Sequence, residues 1–225
     1  MKNEMIIIIS LYMKQFIVMA DIIGSRGRSP ESLMADFKCL VTAVNRRFRK
    51  RMLSPLTITL GDEFQGVALD LESACTLLLE LEEERVRKGL DFGLRYVIHY
   101  GDIGTPLNRR SAHGMLGPGL TDARAMLSEA RSGKLRFRVS VGRRGEGRIL
   151  EDAFLIFAEL VDAWDPVRDF PLAAAFMRDP DYKSVALALG KNRSLTWKRR
   201  RSLRMDDYFR LRRIISTCAQ SAGRH

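Results

Sequence analysis

Residues 16–23, Phe-Ile-Val-Met-Ala-Asp-Ile-Ile, form a β-rich apolar run stopped by Gly24-Ser25. A run without polar alternation is a strand buried on both faces, so the chain must supply a layer of structure on each side of a sheet. It is too short for a membrane span, which takes about 20 apolar residues. An earlier apolar stretch at 5–12 leads through Lys14-Gln15 straight into the strand, where a secretory leader would place small residues and a cleavage site. The chain is therefore expected to be unexported, and Met13-Lys14-Gln15-Phe16 offers an alternative start. Cys39, Cys75 and Cys218 lie far apart with no CxxC spacing, so neither a disulfide framework nor a zinc ribbon is encoded, in keeping with a cytoplasmic protein.

The elements that follow the strand can be read in order. Ser29-Pro30 supplies a helix cap and a first-turn proline ahead of Leu33, Phe37, Leu40, Val41, Val44 and Phe48 at helical spacing. Leu56, Ile58 and Leu60 alternate with threonines, Gly61-Asp62-Glu63 turns the chain, and Phe64, Val67 and Leu69 resume, which predicts a hairpin. Asp70 caps a second helix through Leu71, Ala74, Leu77, Leu78 and Leu81, which runs into the charged stretch 82–88 and ends near Gly89. Residues 94–100 form the next strand. A Gly-rich loop at 101–119, a short helix at 120–130 and a half-exposed strand at 135–141 follow. The order β-α-β-β-α-β predicts an α+β protein built on a ferredoxin-like palm. From Ile149 onward the pattern is helical, and Gly142, Gly145 and Gly147 mark a boundary, giving a palm at 13–146 and an all-α helix-turn-helix unit at 147–225.

Two carboxylates stand out on that palm. Asp21 sits late in the first buried strand and Asp62 at the hairpin tip, and in a ferredoxin-like sheet the first and third strands are neighbours. Both acids would then emerge at one sheet edge, where a pair of hard oxygen ligands suits Mg²⁺ or Mn²⁺ bridging to a substrate phosphate. The backbone of Ile22, Ile23, Gly24 and Ser25 would offer amides to that phosphate. Asp62 beside Gly61 is also ordinary turn chemistry, whereas Asp21 needs a cation or a hydrogen-bond net to be buried at all. Glu63 is either a further ligand or a turn acid. His99, within a strand, is read as a packed or edge histidine.

These residues resemble a known family. Ala20-Asp21-Ile22-Ile23-Gly24-Ser25-Arg26, Thr59-Leu60-Gly61-Asp62-Glu63-Phe64-Gln65-Gly66, the strand Arg95-Tyr96-Val97-Ile98-His99-Tyr100-Gly101, Gly117-Pro118-Gly119 and Asp122-Ala123-Arg124 are similar to the SatD family, whose N-terminal part resembles the palm of class III nucleotidyl cyclases. The resemblance implies Asp21 and Asp62 as the metal pair, residues 22–25 near a triphosphate, and Arg124 as the transition-state arginine. Two features of the cyclase pattern are absent. The stretch 57–60 has no purine-selecting Lys, and Thr121 or Asp122 stands near the expected Asn.

The net charge of +11 is concentrated at the C-terminal end. From Asp181 onward, twelve Lys and Arg face only Asp181, Asp206 and Asp207, a net +9. That asymmetry points to a polyanion, and nucleic acid is favoured over membrane because the basic stretch shows no broad apolar face. Ala186, Gly190 and a basic helix capped by Ser194 predict a helix-turn-helix, which the resemblance also implies. Arg193, Ser194, Lys198, Arg199, Arg200 and Arg201 are the candidate DNA contacts, and Trp197 the helix's core anchor. The apolar position about six residues after Gly190 holds Thr196, leaving the helix register open by one. The expected protein is a homodimeric, cytoplasmic regulator that binds duplex DNA and a nucleotide or other phosphate-bearing ligand. An active metal-dependent cyclase or nucleotidyltransferase, and a palm serving only as a scaffold, are the alternatives.

Overall fold

A computed structural model describes residues 13–23, 29–59, 61–142 and 144–222. The stretch at 5–12 and the loop residues Gly24 and Ser25 lie outside them. The chain order is β1 (Met13–Ile23), α1 (Pro30–Phe48), β2 (Met52–Ile58), β3 (Glu63–Ala68), α2 (Leu71–Arg87), β4 (Gly93–Ile103), α3 (Pro118–Gly133), β5 (Phe137–Ser140), α4 (Arg144–Asp162), α5 (Phe170–Arg178), α6 (Tyr182–Ala188), α7 (Arg193–Ser202) and α8 (Met205–Ala222). The sheet order is β2-β3-β1-β4-β5. The first four strands are antiparallel neighbours in the ferredoxin-like arrangement, and β5 adds to β4 in parallel.

Local chemistry explains the starts of the helices. The Ser29 hydroxyl accepts from the Ser32 amide at the head of α1, and Asp70 does the same for Ser73 at the head of α2. α3 is longer than the expected 120–130 because Pro118 starts it and Lys134, in the left-handed conformation, ends it. Its first turn lies directly on β4. A Cβ on Gly119 would stand 2.5 Å from the Gly101 carbonyl carbon, so both glycines are needed for this contact.

The buried strand is covered on both sides, as its composition requires. One face of β1, through Val18 and Ala20, packs with Phe37, Leu40, Phe64, Leu78, Tyr96 and Ile98 beneath α1 and α2. The other, through Ile17 and Met19, packs with Val67, Val97, Met115, Ala123 and Leu127 beneath α3 and residues 104–117. That segment is fastened where the Ala112 amide donates to the Thr57 hydroxyl at 2.8 Å and the Gln65 amide to the Ala112 carbonyl.

The first core continues without a break into the C-terminal helices. Tyr96, Phe137 and Phe154 stack at successive centroid distances of 4.9 Å, linking β4, β5 and α4. Each such pair contributes about 1 kcal/mol beyond its burial. The Trp164 indole donates to the Leu203 carbonyl at 3.0 Å, fixing α4 to the end of α7.

The charged end of α2 is largely buried, because α2 is the central helix, packed by α1, α5 and α8. Glu80, Glu82, Glu83 and Arg85 are buried. Glu82 accepts from Tyr96 at 2.8 Å, from Arg85 at 2.9 and 3.1 Å, and from Arg136. Burial pushes its carboxyl up, but Arg136 and Arg85 more than offset this and hold it below the usual range. Glu83 accepts from Tyr208 of α8 at 2.6 Å and pairs with Arg212 at 2.8 Å. Among the described residues no helix is long and apolar enough to cross a membrane.

Candidate functional site

The face of the sheet under α3 carries a row of polar groups. Along β1 the side chains of Met19 and Asp21 share this face, and Asp21 lies opposite Glu63 of β3 on one side and Arg95 of β4 on the other. Asp62 is exposed one residue further on, where its carbonyl accepts from the Ile22 amide at 3.1 Å. The two acids of the expected pair thus lie at the same end of the β1–β3 pair, Asp21 buried and Asp62 exposed. Ile22 and Ile23 form the last residues of β1 beside them.

Asp21 is buried and already neutralised. One nitrogen of Arg95 donates to both carboxylate oxygens at 2.9 and 2.8 Å, and Arg131 of α3 donates twice to Oδ2 at 2.9 and 2.6 Å. The hydrogen-bond net is therefore the solution the fold adopts for this acid. Hydrogen bonding to Asp21 raises the Arg131 guanidinium above its usual range, and the charges of Asp21, Asp62 and Glu63 add to it. Arg131 keeps 57% of its side chain exposed, whereas Arg95 is buried. Neither arginine was assigned a role from sequence. The signal was nevertheless present, since Arg124 and Arg131 are seven residues apart and share one face of α3.

No group of three His, Cys, Asp or Glu able to hold a metal occurs among the described residues. The oxygen donors of Asp21 and Asp62 suit Mg²⁺ or Mn²⁺ only when Arg131 releases Oδ2, and its exposure leaves that route open to solvent. Beside this end of the strands lies a cleft of about 640 Å³ lined by Met19, Thr59, Gln65, Thr121, Arg124 and Ser128. Arg124 faces this cleft two turns of α3 before Arg131. Thr57, in the stretch where a cyclase carries its purine-selecting Lys, is occupied by the Ala112 amide. His99 is largely buried, its Nδ1 has no hydrogen-bond partner, and its Nε2 lies 3.8 Å from Asp122. Burial holds this imidazole below its ordinary value, with Asp122 opposing.

The second candidate region is α6 and α7 with the turn between them. Gly190 takes a φ of +60° there, a conformation that glycine adopts freely. Asn192 caps α7 by accepting from the Leu195 amide at 3.1 Å, so Ser194 is not the cap but an exposed residue of the first turn. The register also resolves against a tryptophan anchor. Thr196 is 1% exposed and its hydroxyl donates to the Asn192 carbonyl, while Trp197 is 41% exposed beneath the Arg201 guanidinium. Arg193, Ser194, Lys198 and Arg201 lie exposed on one side of α7. Arg199 and Arg200 flank the buried side, where Arg199 pairs with Asp169 and Arg200 with Asp206 at 2.8 Å. The structure thus separates four of the six candidate contacts from two whose guanidiniums are already paired with carboxylates.

Fold and site together define an α+β palm with helices on both faces of its sheet and acids set against arginines at one end of the central strands. The SatD family matches residues 15–132, more than half of the chain, and the protein belongs to that family. No curated protein matches it. Among solved structures it is similar to two of a bacterial light-regulated adenylyl cyclase. One is 15% identical with a TM-score of 0.40, over 56% of this chain and 74% of that one. The other is 13% identical with a TM-score of 0.40, over 56% of this chain and 42% of that one.

Proposed function

We propose that this SatD-family protein is a nucleic-acid-binding regulator in which α6 and α7 act as a helix-turn-helix on duplex DNA. The observation that carries this reading is the exposed side of α7. Arg193, Lys198 and Arg201 stand there free of the ion pairs that hold Arg199 and Arg200, and Lys191 adds a charge from the turn. Cations already paired with carboxylates gain little from phosphate, whereas exposed ones release DNA counterions on binding. A homodimer would present two such helices at a spacing set by the operator. The reading places the protein in the cytoplasm.

The palm, in this proposal, binds a nucleotide or another phosphate-bearing ligand. Mg²⁺ or Mn²⁺ held by Asp21 and Asp62 would bring positive charge to the phosphates, next to the backbone of Ile22 and Ile23. Arg124, facing the adjoining cleft, would meet the same ligand. Arg131 is the internal cation that must move first, and this favours a ligand-responsive palm over a standing catalytic centre. The cyclase or nucleotidyltransferase reading retains the acid pair and Arg124, and predicts turnover that Asp21→Asn and Asp62→Asn abolish.

Fluorescence anisotropy of a labelled duplex, titrated with the full chain at several salt concentrations, tests the proposal. Four phosphates neutralised per protomer give a log-log salt slope of about −3.6. A slope near zero, or no binding at 50 mM salt, overturns it. If the palm regulates DNA binding, nucleotide with Mn²⁺ shifts DNA affinity, and DNA shifts nucleotide affinity by the same factor.

A further inference from the structure

A groove of about 630 Å³ runs between the α4–α5 connection and α7. Its walls are apolar and supplied by Val167, Leu172, Leu189 and Leu195. Val167 is 88% exposed and Leu195 60%, which is costly for side chains that nothing covers. The rim carries Arg168, Lys191, Lys198 and Arg199, and no carboxylate lines the groove among the described residues. Behind the rim, Asp169 is buried and shared by Arg168 and Arg199, and Asp165 accepts from the Val167 and Arg168 amides, so two carboxylates stand against the four rim cations. Apolar walls under an excess of positive charge match an amphiphile with an acidic head, and the volume lies within the range of small-molecule sites.

We infer that this groove binds a single small amphiphile, an alkyl chain lying along Val167, Leu189 and Leu195 with a carboxylate or phosphate monoester at the cationic rim. A bilayer surface would not need a groove, and an acidic peptide would need a longer track of apolar positions than these walls offer. The inference stands independently of the nucleic-acid reading, although both use α7.

Isothermal titration of the full chain with decyl phosphate, decanoate, decanol and inorganic phosphate, each below any micelle concentration, tests it. The expected result is one saturable site per chain for decyl phosphate, decanoate or both, at least tenfold tighter than for decanol or inorganic phosphate. Across the hexyl, octyl and decyl series the affinity rises about fourfold per methylene. Val167→Asp and Leu195→Asp weaken it at least tenfold with an unchanged melting temperature, whereas Ile149→Asp, an exposed apolar position on α4, leaves it intact. Decanol binding as tightly as decyl phosphate, or equal weakening by Ile149→Asp, overturns the inference. So does binding confined to anionic phosphatidylglycerol vesicles with no uptake of the monomers.

Discussion

Arg85, Arg95 and Arg136 around the sheet and Arg193, Lys198 and Arg201 on α7 carry the same charge in opposite settings. The first three are buried or nearly so, each against a carboxylate that another part of the chain supplies or that lies one helical turn away. The α7 cations project from a helix whose own acids are absent and whose neighbours, Asp169 and Asp206, are taken by Arg199 and Arg200. The difference shows that local density of positive charge does not mark a binding surface. The proposed DNA surface rests instead on the shortage of carboxylates within reach, which begins at α7.

The largest test of this contrast lies at Glu82. Glu82→Ala removes the buried carboxylate that Arg85 and Arg136 share and leaves them only the half-exposed Asp162, and urea unfolding should show a loss of about 3 kcal/mol. Arg131→Ala should cost only about 1 kcal/mol, because that side chain is more than half exposed and screened. The same change frees Asp21 Oδ2, so Mn²⁺ should raise the melting temperature of Arg131→Ala more than that of wild type. An equal response in both proteins would remove Arg131 as the group a cation must displace.

Within α7 the contrast sharpens to adjacent residues. Arg199→Ala should lower stability by about 1 kcal/mol and leave the DNA salt slope unchanged. Lys198→Ala should leave stability within about 0.5 kcal/mol of wild type and reduce the slope by about one unit.

Smaller effects appear against pH. Glu82 titrates below its ordinary value of 4.5 in the folded protein, so its contribution is complete above that pH and is lost as pH falls through the lower folded value. His99 is held below its ordinary 6.5, so the unfolded chain takes up its proton first and stability falls as pH drops below 6.5. Acid unfolding of Glu82→Gln and His99→Asn should each lose the corresponding limb of the wild-type curve.

Much of the palm was legible because its signals are local. Ser29-Pro30, Asp70 and the alternation around Asp62 each act within a few residues, and they place α1, α2 and the hairpin. Asp21 and Asp62 could be brought to one end of the β1–β3 pair from strand order alone. The partners of Asp21 could not, since Arg95 and Arg131 are 74 and 110 residues away and only the packing of α3 on Gly101 brings Arg131 in. The burial of Glu80 to Arg85 was hidden for the same reason: a charge run looks solvated until α5 and α8 close over it. Thr196 and Trp197 exchange the expected roles because an inward threonine can satisfy its hydroxyl on the Asn192 carbonyl within its own helix, leaving the larger ring outside under Arg201.

The most direct measurement compares duplex DNA binding of wild type and the Arg193→Ala, Lys198→Ala, Arg201→Ala triple variant across salt, with melting temperatures recorded alongside. The account predicts equal melting temperatures within about 2 °C and a salt slope that falls from about −3.6 to about −0.9 per protomer. A triple variant that binds DNA with the wild-type slope would place the polyanion surface elsewhere and contradict it.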